Sequence, residues 1–206
     1  MELDVTDAAR IAGVSQRTVQ RALSDGRLGM ARTLGRQTTT DDLAVQAWIR
    51  TTSRGRKWSG RTLDAGIDLL SGGRGESVSS SERSRLRARL RQMDARQIAS
   101  SAWVGTWARY RDLGGADAQP IGSSAADPAS LGMVPGESWA RFADVPDLDE
   151  FEASQPVVAD PDGDLVVIER RHDDRRARVL VDTYVLGDAR ESTAAARQLM
   201  AVVDAL

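Results

Sequence analysis

The sequence predicts a mainly α protein with a small α+β part at its C-terminal end. It reads as an N-terminal winged helix-turn-helix, a central helical domain, and a short antiparallel sheet with a closing helix. Three observations carry this. Capped apolar stripes at helical spacing recur in residues 1–55 and 58–113. A weakly alternating stretch with Gly35 near its centre separates two of those stripes and reads as a hairpin. Short apolar runs bounded by turn residues occupy the segment 157–206, and residues 114–156 read as a linker or irregular loop.

The elements follow in order. Thr6 is a candidate N-cap for a short helix carrying Ala8, Ala9, Ile11 and Ala12. Gly13 suits the left-handed stop of that helix, and Val14 is expected to point inward. Ser15 caps a second helix, Gln16 to Ser24, with Val19, Ala22 and Leu23 as its apolar stripe and Asp25-Gly26 as its breaker. Leu28 to Thr39 forms the wing. Thr40 is expected to cap a third helix, Asp41 to Arg50, whose two acids lie at its positive end and whose core side is Leu43, Ala47, Trp48 and Ile49.

After the basic linker 51–57, Ser59 caps a helix with Leu63, Ile67 and Leu70 on one side, and Trp58 with Leu63 fits a hydrophobic staple. The Gly- and Ser-rich stretch Ser71 to Ser81 is a loop. Glu82 to Met93 is a basic helix, and Asp94 caps another, from Ala95 to about Leu113, that carries Trp103, Trp107 and Tyr110. In the tail, Val157-Val158 and Leu165 to Ile168 are strands joined at Asp160-Pro-Asp-Gly-Asp164 by hairpin-turn chemistry. Ala177 to Val185 reads as a third strand, and Asp188 to Leu206 as a helix.

Charge divides unevenly. The 28 basic and 30 acidic side chains give a net charge of −2, but residues 1–60 and 61–115 carry +4 each and residues 116–206 carry −10. A basic front suits a polyanion and an acidic rear suits a different partner. Lys57 is the only lysine. Arginine favours bidentate contacts with phosphate and guanine. The chain has no cysteine and one histidine, His172, which excludes disulfides, thiolate catalysis and cysteine-based zinc sites. No apolar run approaches the roughly 20 residues of a membrane span, and the acidic start MELDVTDAAR is not an apolar leader. A cytoplasmic protein is expected.

The helix-turn-helix is the strongest chemical signal. A tight turn sets the second helix across the first and presents its exposed N-terminal side to the major groove. Gln16, Arg17, Thr18, Gln20 and Arg21 occupy that side. Glutamine pairs with adenine and arginine with guanine through bidentate hydrogen bonds. Ser15 and Thr18 can reach phosphates, and Arg32 and Arg36 flank the wing turn, where they can follow the backbone or the minor groove. The alternative use of such a module is protein contact alone. Within the basic helix, Arg83, Arg87 and Arg91 form one row and Arg85 and Arg89 another. Either a nucleic-acid backbone, plain solvent with Leu86 and Leu90 inward, or an acidic partner fits them.

Other constellations are weaker. Asp160, Asp162 and Asp164 begin like a calcium loop, but glycine comes fourth rather than sixth and Arg171 stands at the twelfth position. His172 lies in the run ERRHDDRR, which reads as an exposed turn, and no nucleophile motif accompanies it. No phosphate-binding GxxxxGK or GxGxxG follows a strand. The residues thus point to no catalytic group, no metal and no cofactor.

Three passages resemble a known family. They are Arg36 to Thr40 closing the N-terminal module; Arg56-Lys57-Trp58 with the Leu63–Leu70 helix and Ser84 to Leu90; and Ala159 to Val167 with the alanine-rich closing helix. In pattern and order they are similar to the actinobacterial helix-turn-helix proteins encoded beside a nucleotidyltransferase-like toxin, related to AbiE-type antitoxins. Residues 114–156 lie outside the likeness. The resemblance implies a double-stranded-DNA-binding antitoxin that represses its own operon and neutralises the toxin by direct binding. Its acidic rear would then occupy a toxin cleft meant for nucleotide or RNA. A homodimer on half-sites about one helical turn apart suits such a module. The alternatives are a stand-alone repressor, an excisionase-like protein, an interaction adaptor, or an enzyme using the tail.

Overall fold

The computed structural model describes residues 2–28, 32–34, 37–52, 56–117, 119–120 and 141–206. Over these residues the chain is mixed α/β and divides into two compact units. The first draws on residues 2–49, 105–120 and 141–172, the second on 50–104 and 173–206.

In the first unit, β1 (Glu2–Asp4) leads directly into α1 (Val5–Ala12). The cap of α1 is Asp4, whose Oδ1 accepts from the Asp7 amide at 2.8 Å, and not Thr6, which lies inside the first turn. Gly13 closes α1 at φ 65°, donating to the carbonyls of Ala9 and Arg10. That conformation is costly for any residue with a Cβ. Val14 turns outward rather than inward, at 38 % exposure. α2 (Gln16–Ser24) buries Val19 and Ala22, and α1 buries Ala8 and Ala9. The expected stripe is therefore real, with Leu23 half-buried at its edge.

The predicted hairpin is present as β2 (Arg32–Leu34) and β3 (Gln37–Asp41), paired antiparallel, and β1 joins the other edge of β3 to make a three-stranded sheet. Gly35 and Arg36 lie outside the described residues. Thr40 belongs to β3 and does not cap α3 (Asp42–Thr51). Asp41 does, accepting from the Ala44 amide at 2.9 Å. α3 buries Ala44, Val45, Ala47 and Trp48, while Leu43 and Ile49 are only half-buried.

The rest of this unit is a second sheet. Its strands are β4 (Thr106–Asp112), the two-residue β5 (Gln119–Pro120), β6 (Arg141–Val145), β7 (Val157–Ala159) and β8 (Leu165–Glu169). Their spatial order is β5-β6-β8-β4-β7. The sheet is mixed rather than antiparallel, because β6 runs parallel to β8. The predicted helix from Ala95 to Leu113 is therefore two elements. Trp103, Trp107 and Tyr110 have helical spacing, but the helix stops at Ala102, where Trp103 turns extended, and Gly105 at φ 116° leads the chain into β4. β4 then satisfies its backbone on both sides, with Trp107 opposite Ile168 and Tyr110 opposite Leu165 and Ala159. Tertiary pairing overrides the local period.

Asp160–Asp164 is not a hairpin turn. β7 and β8 lie on opposite sides of β4, so the segment crosses over that strand. Gly163 permits the crossing: a Cβ there would run into the Tyr110 carbonyl and lie 2.7 Å from the Arg111 nitrogen. α7 (Leu148–Ser154), capped by Asp147, supplies Leu148 and Phe151 to a core with Tyr110, Ala143, Val145, Leu165 and Val167. Tyr110 meets Phe151 edge-on at 5.7 Å. Thus β6 and α7 occupy part of the stretch expected to be irregular; residues 121–140 of that stretch lie outside the described residues.

The second unit holds α4 (Gly60–Leu70), α5 (Ser80–Leu90), α6 (Ala95–Ala102), α8 (Arg176–Leu186) and α9 (Ala189–Asp204). Ser59 stands at the cap of α4 but makes no side-chain cap bond. Trp58 packs on Gly66, where a Cβ would fall 2.7 Å from the indole ring. α5, α6 and α9 each start with a capping box: Ser79 with Glu82, Asp94 with Gln97, and Asp188 with Glu191. Leu86, Leu90 and Met93 are buried as expected.

The segment expected to be a third strand, Ala177 to Val185, is α8. It packs against α9, α4 and α6 and is buried on nearly every side, including Arg178, Asp182 and Thr183. A helix covered all round shows no amphipathic period, so its valine-rich run mimics a strand. Arg178 donates to the Ala102 carbonyl at 2.9 Å, placing a cation at the negative end of α6. Among the described residues no helix is long and apolar enough to cross a membrane.

Candidate nucleic-acid interface

α2 owes its placement to two local devices. Ser15, extended at φ −73° and ψ 152°, accepts from the Thr18 amide at 3.2 Å. Val14 donates to the Ala9 carbonyl at 3.0 Å across the turn. With Val19 and Ala22 buried, the opposite side of the helix must face outward. Ser15, Gln16, Arg17, Thr18, Gln20 and Arg21 are all exposed. At roughly 100° per residue, Arg17 and Arg21 fall in the middle of this polar arc, with Gln16 and Gln20 to one side and Thr18 to the other.

Four of the predicted residues come together. Ser15, Arg17, Thr18 and Arg21 line one open groove of about 540 Å³, joined by Asp25 and Arg27. Gln16 and Gln20 lie beside it, and Gln16 Nε2 donates to Thr6 Oγ1 at 3.1 Å. The Ser15 and Thr18 hydroxyls bond each other at 2.9 Å, so part of their capacity for phosphate is engaged internally. Arg32 lies in β2 opposite Thr39. Arg36, the other predicted wing contact, lies outside the described residues.

Sequence reasoning missed Asp25 and Arg27. Asp25-Gly26 looked like a helix breaker and nothing more. Yet Asp25 Oδ2 stands 3.0 Å from Arg27 Nη2 and 4.0 Å from Arg21 Nε. The signal was available: an acid four residues after one arginine and two before another can serve both. Arg17 makes no ion pair among the described residues. The groove therefore presents three guanidiniums to one carboxylate.

The other sequence candidates are engaged differently. Of the arginines on and just after α5, Arg83 donates to the Arg74 carbonyl at 3.0 Å and Arg87 is half-buried, whereas Arg85 and Arg89 face solvent. The acids of the crossing segment hold the fold. Asp160 pairs with Arg111 at 2.5 Å, and Asp164 with Arg141 at 3.2 Å and the Asp112 amide at 3.1 Å. The Asp162 amide and the Arg111 guanidinium keep the Asp160 carboxyl below its ordinary range. His172 is half-buried rather than exposed, its Nδ1 3.5 Å from the buried Asp144, which also pairs with Arg170 at 2.9 Å. No cluster of three or more His, Cys, Asp or Glu side chains able to hold a metal occurs among the described residues.

Comparison with family models, curated proteins and solved structures finds no match to this chain.

Proposed function

We propose that the protein binds double-stranded DNA through α2, acting as a winged helix-turn-helix repressor. We extend this, on the family resemblance, to an antitoxin that represses its own operon and neutralises a nucleotidyltransferase-like toxin by direct binding. The observation that carries the DNA reading is the exposed arginine-bearing face of α2, opposite the buried Val19 and Ala22. A helix of nine residues is about 14 Å long and about 10–12 Å across with its side chains, and the major groove, about 12 Å wide, admits it. Arg17 and Arg21 then meet guanine edges, Gln16 and Gln20 meet adenine, and Ser15 and Thr18 approach the phosphates. The hairpin of β2 and β3 would serve as the wing. The toxin part is supported by the resemblance and by the −10 charge of residues 116–206.

Two measurements test this. Fluorescence anisotropy with a labelled duplex from the region upstream of the reading frame should give binding that weakens steeply with salt. Affinity no better than for a scrambled duplex would remove the repressor reading. Co-expression with the neighbouring gene product should relieve toxicity and yield a complex. Undiminished toxicity and no complex would remove the antitoxin part and leave a stand-alone repressor.

A further inference from the structure

We propose that Asp25 is a specificity-determining residue of the α2 groove. Its carboxylate occupies Arg27 and Arg21, and so holds the protein off DNA whose base edges do not engage Arg17. The inference rests on the DNA-binding reading above and adds a residue and a role to it.

The geometry is asymmetric in a useful way. Arg27 lies within a hydrogen bond of Asp25 and Arg21 at the outer limit of an ion pair, while Arg17, one turn before Arg21, has no such partner among the described residues. All three guanidiniums line the same groove as the acid. The pairs are wet, with Asp25 47 % and Arg21 80 % exposed. Such pairs add little to folding stability and exchange readily. Asp25 also does not serve the helix. It sits at the C-cap of α2, where the helix dipole disfavours a negative charge, and only its backbone takes part in the cap. A carboxylate that is unfavourable for its own helix, yet shared by two groove arginines, has its use in the groove.

Non-specific affinity for DNA comes from cations released as arginines neutralise phosphates. A phosphate approaching Arg27 must displace Asp25, and the displaced charge then repels that same phosphate. One arginine is in effect withdrawn from any encounter that offers phosphates alone. On a preferred sequence, base contacts from Arg17 hold the protein without a phosphate on Arg27, so the Asp25–Arg27 pair stays intact there. The groove thereby gives up affinity for duplexes that offer phosphates alone, which widens the gap between right and wrong ones.

The test uses the full chain and two probes: a duplex pool of random sequence, and the duplex that wild type enriches from that pool. Asp25→Asn keeps the shape and removes the charge. It should bind the random pool up to about eightfold more tightly at 0.1 M salt, with a salt slope steeper by about 0.9, the value of one added phosphate contact. Affinity for the enriched duplex should rise less, so the ratio between the probes falls. Arg27→Ala uncovers the Asp25 carboxylate and should weaken both probes alike through its repulsion of phosphate. An Asp25→Asn protein that binds the random pool no tighter than wild type would overturn the proposal while leaving DNA binding intact. Wild type that retains no duplex and enriches none overturns the underlying reading and this proposal with it.

Discussion

Arg17→Ala removes a guanidinium that takes part in no ion pair among the described residues and lies at the centre of the exposed arc of α2. Alanine is at least as good a helix former as arginine, so the folded state loses nothing that a melting curve would record. Any effect on binding is then an effect on the complex. If Arg17 donates to guanine O6 and N7, its loss costs about 1–3 kcal/mol, or roughly 5- to 150-fold in Kd. Arg21→Ala gives a comparable loss, but it also frees Asp25 from its partner 4.0 Å away. The two substitutions should thus differ in salt dependence. Anisotropy titrations on the wild-type-enriched duplex and its single-base variants, each at several salt concentrations, separate the roles. A base reader shows relaxed preference at one position with little change in slope. A phosphate contact shows uniform weakening and a slope reduced by about one. If both variants keep full affinity and full sequence preference, α2 does not lie in the groove and the functional reading fails.

Two further predictions concern the stability of each unit by itself. Gly163→Ala should destabilise the first unit by about 1–3 kcal/mol in urea unfolding, since the new methyl meets backbone that β7 and β8 hold in place; an unchanged midpoint would refute the crossing. Acid should weaken the second unit. The Ser77 hydroxyl and Arg175 hold the Asp64 carboxyl below its ordinary range, and burial pushes Asp173 up but the hydrogen bonds it accepts from Arg175 bring it below that range. Carboxyls depressed on folding contribute stability above their unfolded value that is lost as pH falls through the folded one. Melting temperatures should therefore hold from pH 7 to 5 and drop below about 4, and Arg175→Met should flatten that drop. An equally steep drop in the variant would show that the acid response lies elsewhere.

The parts of the fold legible in the sequence are those set by local chemistry. Ser15 and Asp94 announced their helices because a capping side chain needs only the next turn to act. The polar arc of α2 was legible for the same reason: Val19 and Ala22 fix the inward side, and what remains must face out. Where distant contacts decide, the reading failed. β4 carries aromatic residues at helical spacing and becomes a strand only because β7 and β8 flank it. α8 is apolar throughout because its neighbours enclose it, and no period survives to separate it from a strand. Arg27 escaped notice because its part in the groove depends on Gly26 turning the chain back at φ 65°.

The interleaving of the two units bears on how the polypeptide matures. Residues 106–112 emerge from the ribosome long before the strands at 141–169 that complete their pairing, and the helices of 60–102 precede 176–204 by a similar interval. Both units therefore close late in synthesis, through contacts between segments far apart in the chain, which is a slow and aggregation-exposed regime. A message cut short in its last third would deliver the second sheet and the helical unit both unfinished.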